Sequence, residues 1–349
     1  MRITARQMTN TYIYNANRNQ SMLSKQFEKL ETGRGFTRIS ENVSAGKKAL
    51  KVRTAMYRNE QYQKNITSAS DQITAAESSL NAINEQVQNV KSLAEKALNG
   101  TNQDETSRKI FSSTIEETKK TIINGLNTRY LDKYILGGTN GNAPFEMSDN
   151  GELLYNGSVV SGITSQNGGY VDANGDPVEM SKESYVDIGL GLKLGADGEG
   201  FDEKSVYKTS FSGLKWTGFG STELTYNDKD GNEVKENVSN NMTDILSQMQ
   251  DALDKNDMEK MGALYDHFKT QYDNLLTGIA DLGTRSSYLE SLQTRLGDEN
   301  GNLQITQKDI EGINDAEEIS HMQEYNYSWL LTLKFGSQVL PQSLMDYIR

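Results

Sequence analysis

The 349-residue chain contains no cysteine. That absence removes disulfide staples, cysteine-based zinc sites and thiol nucleophiles together. Histidine is scarce too: His267 and His321 are the only two, and each lies in a segment of helical periodicity as a packing or surface residue. Apolar residues make up 35% of the chain, against about 45–50% in an ordinary globular domain when glycine is counted. On a chain long enough for two or three domains, this predicts thin, elongated packing rather than one large core. No run approaches the roughly 18 apolar residues of a membrane helix, so no membrane insertion is expected. The opening "MRITARQMTNTYIYNANRNQ" lacks the continuous apolar stretch of a secretory signal. With a net charge of −12 and a pI near 4.9, the balance argues against nucleic acid and anionic membranes as partners, because both reward clustered Lys and Arg.

What is present divides into helical flanks and a glycine-rich middle. Eighteen of the 30 glycines fall between Gly137 and Gly231. In the C-terminal flank, Met261, Leu264, Phe268, Gln271, Leu275, Gly278, Leu282, Arg285, Leu289, Leu292 and Leu296 follow one another in strict three-four steps. That is the heptad seam of a helix with one stripe facing a partner. The seam resumes at Leu303, Ile310 and Ile313 after "GDENG". In the N-terminal flank, Ala69, Ile73, Ala76, Leu80, Ile83, Val87, Val90, Ala94 and Ala97 form a second seam, whose small residues let a partner helix approach closely. A third helix is expected from about Glu105 to Leu136, with Phe111, Ile115, Ile122 and Leu126 on one face. Ile73, Leu80, Val87, Leu264, Phe268, Leu275, Leu282, Leu289 and Leu292 are the candidate core of this helical region.

The chain ends carry weaker seams: Ile13, Ala16, Gln20, Leu23, Phe27 and Leu30 at one end, Ala316, Ile319, Gln323, Asn326, Leu330 and Leu333 at the other. Isolated helices of that length are marginal in water, and the simplest pairing lays the first against the last. Beyond them, Leu340, Leu344 and their neighbours make an apolar tail, with Pro341 expected to break or kink the helix near Leu340.

The middle, about 141 to 240, reads as β. "LLYNGSVV", "YVDANGDPVEM" and "LTYNDKDGNEVKEN" each set an Asn-Gly or Asp-Gly turn between extended segments, a strong hairpin signal. Tyr155, Tyr170, Tyr185, Trp216, Phe219 and Tyr226 are candidates for a small core there. Chemistry is hard to find. Asp172, Asn174, Asp176 and Glu183 fall at calcium-loop spacing, but Pro177 stands where that loop needs glycine, so a hairpin turn is the better reading. Glu318 and His321 have the spacing of a metal-binding helix, yet such sites need a second pair and further Glu residues. No nucleophile-elbow or P-loop spacing occurs. No catalytic site, cofactor or metal is expected.

Five segments in order, "MRIT", "LETGRGFTRISENVSAGKKAL" (30–50), "YILGGTNGNAPF" (134–145), "IADLGTRSSYLE" (279–290) and "VLPQSLMDYIR" (339–349), resemble the flagellin superfamily. The closest likeness is to its hook-associated members at the hook–filament junction. The resemblance covers most of residues 1–145 and 242–349 and is weak or absent over the β insert. It implies a mainly α fold in which the two flanks form a long antiparallel helical rod, with a small β-rich domain inserted between them. It divides the chain into an inner terminal-helix domain (1–40 with 306–349, disordered in the free monomer), a helical rod (41–140 with 242–305) and a variable outer domain (141–241), with a hinge near Gly33 to Gly46. The implied role is structural and non-enzymatic. Ile13, Leu23, Phe27, Leu30, Ile319, Leu330, Leu333, Leu340 and Leu344 would pack between subunits of a ring. A hook-side hook-associated protein and filament-side flagellin would be its neighbours, and an export chaperone would hold the C-terminal region. The implied location is the extracellular flagellum, reached without a cleaved signal. A minor flagellin of the filament and a cytoplasmic helical scaffold are the alternatives.

Overall fold

The computed structural model describes residues 5–99, 105–137, 143–148, 151–166, 169–178, 184–195, 201–202, 204–228 and 231–339. They form two compact units: Met1–Glu60 with Gly297–Arg349, and Gln61–Leu296. The elements in chain order are α1 (Ala5–Thr32), α2 (Val43–Leu98), α3 (Glu105–Leu126), β1 (Arg129–Tyr130), β2 (Lys133–Tyr134), β3 (Phe145–Met147), β4 (Leu153–Tyr155), β5 (Ser158–Val159), β6 (Thr164–Gln166), β7 (Gly169–Val171), β8 (Tyr185–Val186), β9 (Tyr207–Lys208), α4 (Gly213–Thr217), β10 (Ser221–Asn227), β11 (Glu233–Ser239), α5 (Met242–Asp254), α6 (Met258–Glu311) and α7 (Asp315–Val339). The fold is mainly α, with a small sheet-containing middle region.

In the unit Gln61–Leu296, both long seams turn inward. Ile73, Leu80, Val87, Leu264, Phe268, Leu275, Leu282, Leu289 and Leu292 are all buried, in one core that also takes in Ile66, Phe111, Ile115, Ile122 and Leu126. Helices α2 and α6 run antiparallel: Tyr265 Oη donates to Glu95 at 2.5 Å, Tyr272 Oη to Asn84 at 2.8 Å, and the Gln63 side chain to the Leu296 carbonyl at 3.2 Å. Caps fix where helices start. Asn42 Oδ1 accepts from Ala45 N at 3.1 Å ahead of α2, and Asn241 Oδ1 from Thr243 N at 2.9 Å ahead of α5, each satisfying a backbone donor that the helix leaves unpaired.

Helix α3 ends at Leu126, ten residues earlier than the apolar spacing predicts. The Asn127 side chain is the reason. Its amide donates to the Phe145 carbonyl at 2.7 Å and its oxygen accepts from Phe145 N at 3.1 Å, tying the helix end to β3. The chain then turns through the β1–β2 hairpin, and Ile135 and Leu136 reach the core from the bend that follows β2 instead.

The seam of α6 is interrupted every seventh residue by Gln271, Gly278 and Arg285, and these are the places where the inserted segment lies on the helix. A Cβ on Gly278 would stand 2.5 Å from the Trp216 ring, and one on Gly218 would stand 2.9 Å from Gln271 Oε1. The Arg285 guanidinium lies 5.7 Å from the Phe211 ring, and Tyr207 stacks on Tyr288 at 6.3 Å. Residues 207–218 therefore descend α6 in reverse order, and the missing or polar side chains make room for them.

The turn signals of the middle hold. Asn156 and Gly157 both adopt positive φ, 51° and 88°, as the two-residue turn joining β4 and β5 requires. Strands β10 and β11 pair from Ser221↔Ser239 to Asn227↔Glu233. At the calcium-like spacing, Asp172 spends its carboxylate on its own turn, accepting from Asn174 N and Asp176 N at 2.9 Å each; Glu183 lies outside the described residues. Of the six aromatics proposed as a small core, Tyr155 alone is fully buried. The core of the insert is instead Phe145, Leu153, Val160, Ile163, Ile188 and Leu214, continuous with that of the helices. Buried Asp244 of α5 joins them, accepting from Leu153 N at 3.2 Å and Ser239 Oγ at 2.8 Å, while burial pushes its pKa up.

Two substitutions test this packing. Leu282→Ala is expected to cost about 2–5 kcal/mol of unfolding free energy, since its site is closed on all sides. Gly278→Ala is expected to cost about 1–3 kcal/mol by forcing Trp216 off the helix. Urea unfolding, with the Trp216 fluorescence change as a second readout, checks both.

Candidate assembly interface

The other unit is built on a different principle. Helices α1 and α7 pair antiparallel, with the Asn19 amide donating to Thr332 Oγ1 at 2.7 Å and the Gln26 amide to the Glu318 carbonyl at 2.9 Å. The same Gln26 nitrogen also donates to Glu318 Oε2, and Lys29 Nζ stands 3.5 Å from Glu318 Oε1. A side chain on Gly336 would run into the Tyr12 hydroxyl. Tyr12, Asn19 and Gln26 of α1 thus face Glu318, Thr332 and Gly336 of α7, with Met22, Met322, Tyr325 and Trp329 half-buried on the same faces. The buried hydrophobic core of the protein has one described member here, Ala49.

The seams read from the sequence fall elsewhere on these helices. Along α7, Ala316, Ile319, Gln323, Asn326, Leu330 and Leu333 are all exposed, and the intramolecular seam runs along the neighbouring positions. Along α1, Ala16, Leu23 and Leu30 are half-buried, while Ile13, Gln20 and Phe27 face outward. The pairing of first helix with last is correct, but the contact face is shifted by one residue. The inner positions are mixed: Asn19 and Gln26 find hydrogen-bond partners there, while Met22, Met322, Tyr325 and Trp329 are half-buried beside them, and the apolar stripe stays outside. The exposures are 47% at Ile13, 52% at Phe27, 43% at Ile319, 57% at Leu330 and 48% at Leu333. Leu340 and Leu344 lie outside the described residues, as do "MRIT" and the residues around Pro341.

Where the terminal helices join the rest, Glu311 is the fastening point. Arg53 donates to it twice, Nε to Oε1 at 2.8 Å and Nη2 to Oε2 at 2.6 Å, and Arg34 Nε stands 3.9 Å away. Gly35 N donates to the Glu311 carbonyl at 2.7 Å. The loop between α1 and α2 is in this way sewn to the turn between α6 and α7. Gly33, at φ 65°, ends α1 in the left-handed conformation, where glycine is favoured. A Cβ on Gly46 would lie 2.9 Å from Ile39, so that glycine allows the loop to close on α2. The Arg53 hydrogen bonds hold the Glu311 pKa down, and the bond from Gln26 does the same for Glu318.

Sequence reading overlooked a third outward stripe. Val43, Leu50 and Tyr57 recur at heptad spacing along the first half of α2 and are 54%, 58% and 64% exposed. The spacing is visible in the sequence, but lysines and arginines surround it and mask the signal. Neither histidine makes a site. His267 is half-buried, with desolvation lowering its pKa, and His321 lies 3.9 Å from Glu318 Oε2 beside Tyr325. Among the described residues no group of His, Asp and Glu could hold a metal ion, and no helix is long and apolar enough to cross a membrane.

Residues 3–141 match the family model of the bacterial flagellin N-terminal helical region. Over these residues the chain is similar to flagellins. Two solved structures share its fold. A putative flagellar hook-associated protein from Vibrio parahaemolyticus aligns at TM-score 0.55 and 14% identity, over 78% of this chain and 100% of that one. Flagellar hook-associated protein-3 from Legionella pneumophila aligns at TM-score 0.52 and 12% identity, over 74% of this chain and 98% of that one. No curated protein matches by sequence. The likeness to the flagellin superfamily and its hook-associated members, read first from the terminal segments, holds. The flagellin region supports a flagellar structural role.

The two carboxylates set a pH dependence for the terminal helices. Both have folded pKa values below the ordinary 4.5, so their stabilisation is complete above that value and is lost as pH falls through the lowered folded values. Amide exchange in residues 5–32 and 315–339, followed from pH 6 downward, is expected to accelerate below about pH 4.5 in excess of the intrinsic rate. Glu311→Gln and Glu318→Gln should each blunt that acceleration.

Proposed function

We propose that the chain is a non-enzymatic structural subunit of the bacterial flagellum, forming the junction between hook and filament. It assembles by packing its N- and C-terminal helices against those of like subunits in a ring. The observation that carries this reading is the packing of α1 and α7: a part-polar seam within the chain whose apolar members are only half-buried, and Ile13, Phe27, Ile319, Leu330 and Leu333 on the outside. A monomer gains little from such an arrangement, whereas neighbours that cover the stripe supply the missing apolar burial. Leu23 and Leu30, half-buried, join the stripe to the seam, and Leu340 and Leu344 are assigned to the same interface from the sequence alone. In this reading the terminal domain (1–40 with 306–349) gains its full order on assembly. The rod (41–140 with 242–305) and the outer domain (141–241) fold beforehand.

The neighbours in this reading are a hook-associated protein on the hook side and flagellin on the filament side. The chain leaves the cell through the flagellar export route without a cleaved signal, with a chaperone covering its C-terminal region, and works outside it. The flagellin match favours one second reading, a minor flagellin polymerising as filament. The fold shared with hook-associated proteins favours the junction.

Limited proteolysis of the monomer is expected to remove about 35 residues from the front and about 45 from the back, leaving a helical core. Intact ends would refute folding on assembly. Leu330→Ala and Leu333→Ala should leave monomer stability within about 0.5 kcal/mol, yet abolish incorporation into flagella when they replace the native copy. Immunogold labelling of the wild-type chain should mark one site at the hook–filament boundary; label along the filament would favour the minor flagellin.

A further inference from the structure

The charges of the terminal unit are unevenly divided between the two ends of the chain. Residues 1–60 hold 12 basic and 4 acidic side chains, whereas residues 297–349 hold 3 basic and 9 acidic. Few of these meet within the chain. Lys29 with Glu318, and Arg34 and Arg53 with Glu311, are the ion pairs between the two segments among the described residues. The basic excess gathers beside the outward stripe of α2, where Lys47, Lys51 and Arg58 flank Val43, Leu50 and Tyr57. All six side chains are exposed, and none of the three cations makes an ion pair with a described residue. The acidic excess gathers on α7, where Asp315, Glu317 and Glu324 are exposed on the helix that bears Ile319, Leu330 and Leu333, again without ion pairs among the described residues.

We infer that the first half of α2 is a docking face for the α7 helix of a second copy of this chain. Both stripes span fifteen residues, 43 to 57 and 319 to 333, about 21 Å of helix. Each offers apolar residues at heptad-related positions, the pattern by which one helix seats on another. Charge selects the partner. A basic face repels the net-basic α1 of another copy and attracts its acidic α7, and opposed charges of this kind fix orientation and suppress wrong pairings. Face and occupant are different surfaces, so the contact is heterologous and leaves each copy with one of each unused. Such contacts close into rings or continue as helical arrays. The inference rests on the assembly reading above and adds to it the identity of the contacting helices.

Two charge-reversed full-length chains test it, Lys47→Glu/Lys51→Glu/Arg58→Glu and Asp315→Lys/Glu317→Lys/Glu324→Lys. Sedimentation velocity at low salt should show each alone self-associating at least about tenfold more weakly than wild type. Their equimolar mixture should recover wild-type association, and added salt should weaken both recovered and wild-type assemblies. Unchanged association of either variant alone, or no recovery on mixing, would overturn the docking face. Loss of association in Leu330→Ala and Leu333→Ala would in that case still leave assembly through the terminal helices standing. Absence of association in wild type would overturn both. A photo-crosslinking p-benzoyl-phenylalanine at Leu50, in an otherwise wild-type chain mixed with a 15N-labelled copy, gives a readout independent of the reversed variants. The expected crosslink is intermolecular and falls within 315–339; one that falls elsewhere rejects the proposal.

Discussion

What faces across an antiparallel helix pair decides how much that pair can hold by itself, and the two units of this protein take opposite answers. Between α2 and α6 in the unit Gln61–Leu296, the facing residues are Ile73, Leu80, Val87, Phe268, Leu275 and Leu282, all sealed from solvent. Each contributes on the order of 1.5–3 kcal/mol by burial, and the insert, α3 and α5 extend the same core. Between α1 and α7, Asn19 and Gln26 bond to Thr332 and Glu318, and the apolar residues beside them, Met22, Leu23, Met322, Tyr325 and Trp329, are only half-buried. The hydrogen bonds specify one register, but each adds only about 0.5–1.5 kcal/mol net. Outward-facing leucines, a flagellin-like region and the division of charge all bear on that contrast, because a pair so weakly held has its apolar side chains free for other partners.

The long seams were legible because burial on one face writes its period directly into the sequence. Nine positions chosen by three-four spacing alone, from Ile73 to Leu292, are buried. Asn-Gly and Asp-Gly turns were legible for a local reason: Asn156 and Gly157 need positive φ whatever surrounds them. The end of α3 was not legible. It depends on Asn127 meeting Phe145, and no periodicity carries the position of a side-chain bond to a distant strand. The face of α7 was missed for a related reason. Spacing identifies an apolar stripe but not which way it points, and the usual assumption that apolar means inward fails where polar residues find partners across the pair. Glu311 shows the same limit, since Arg53 lies far away in sequence and nothing in either segment announces the pair.

The β insert illustrates how a helix records a visitor. Gln271, Gly278 and Arg285 look like flaws in the seam of α6 when it is read as a coiled coil. Against Gly218, Trp216 and Phe211 they are places where the helix yields volume or offers a cation to an aromatic ring. The insert therefore shares its stability with the helices.

The fastening at Glu311 also has a kinetic consequence. Asn19 and Thr332 are 313 residues apart in sequence, and closing so long a loop from an unfolded chain is slow and entropically unfavourable. Once Arg53 holds Glu311, however, the two helices that must meet are tethered only by the short links 33–42 and 312–314. Their encounter becomes a local search between neighbours. A pair closed by so short a search can re-form quickly after opening.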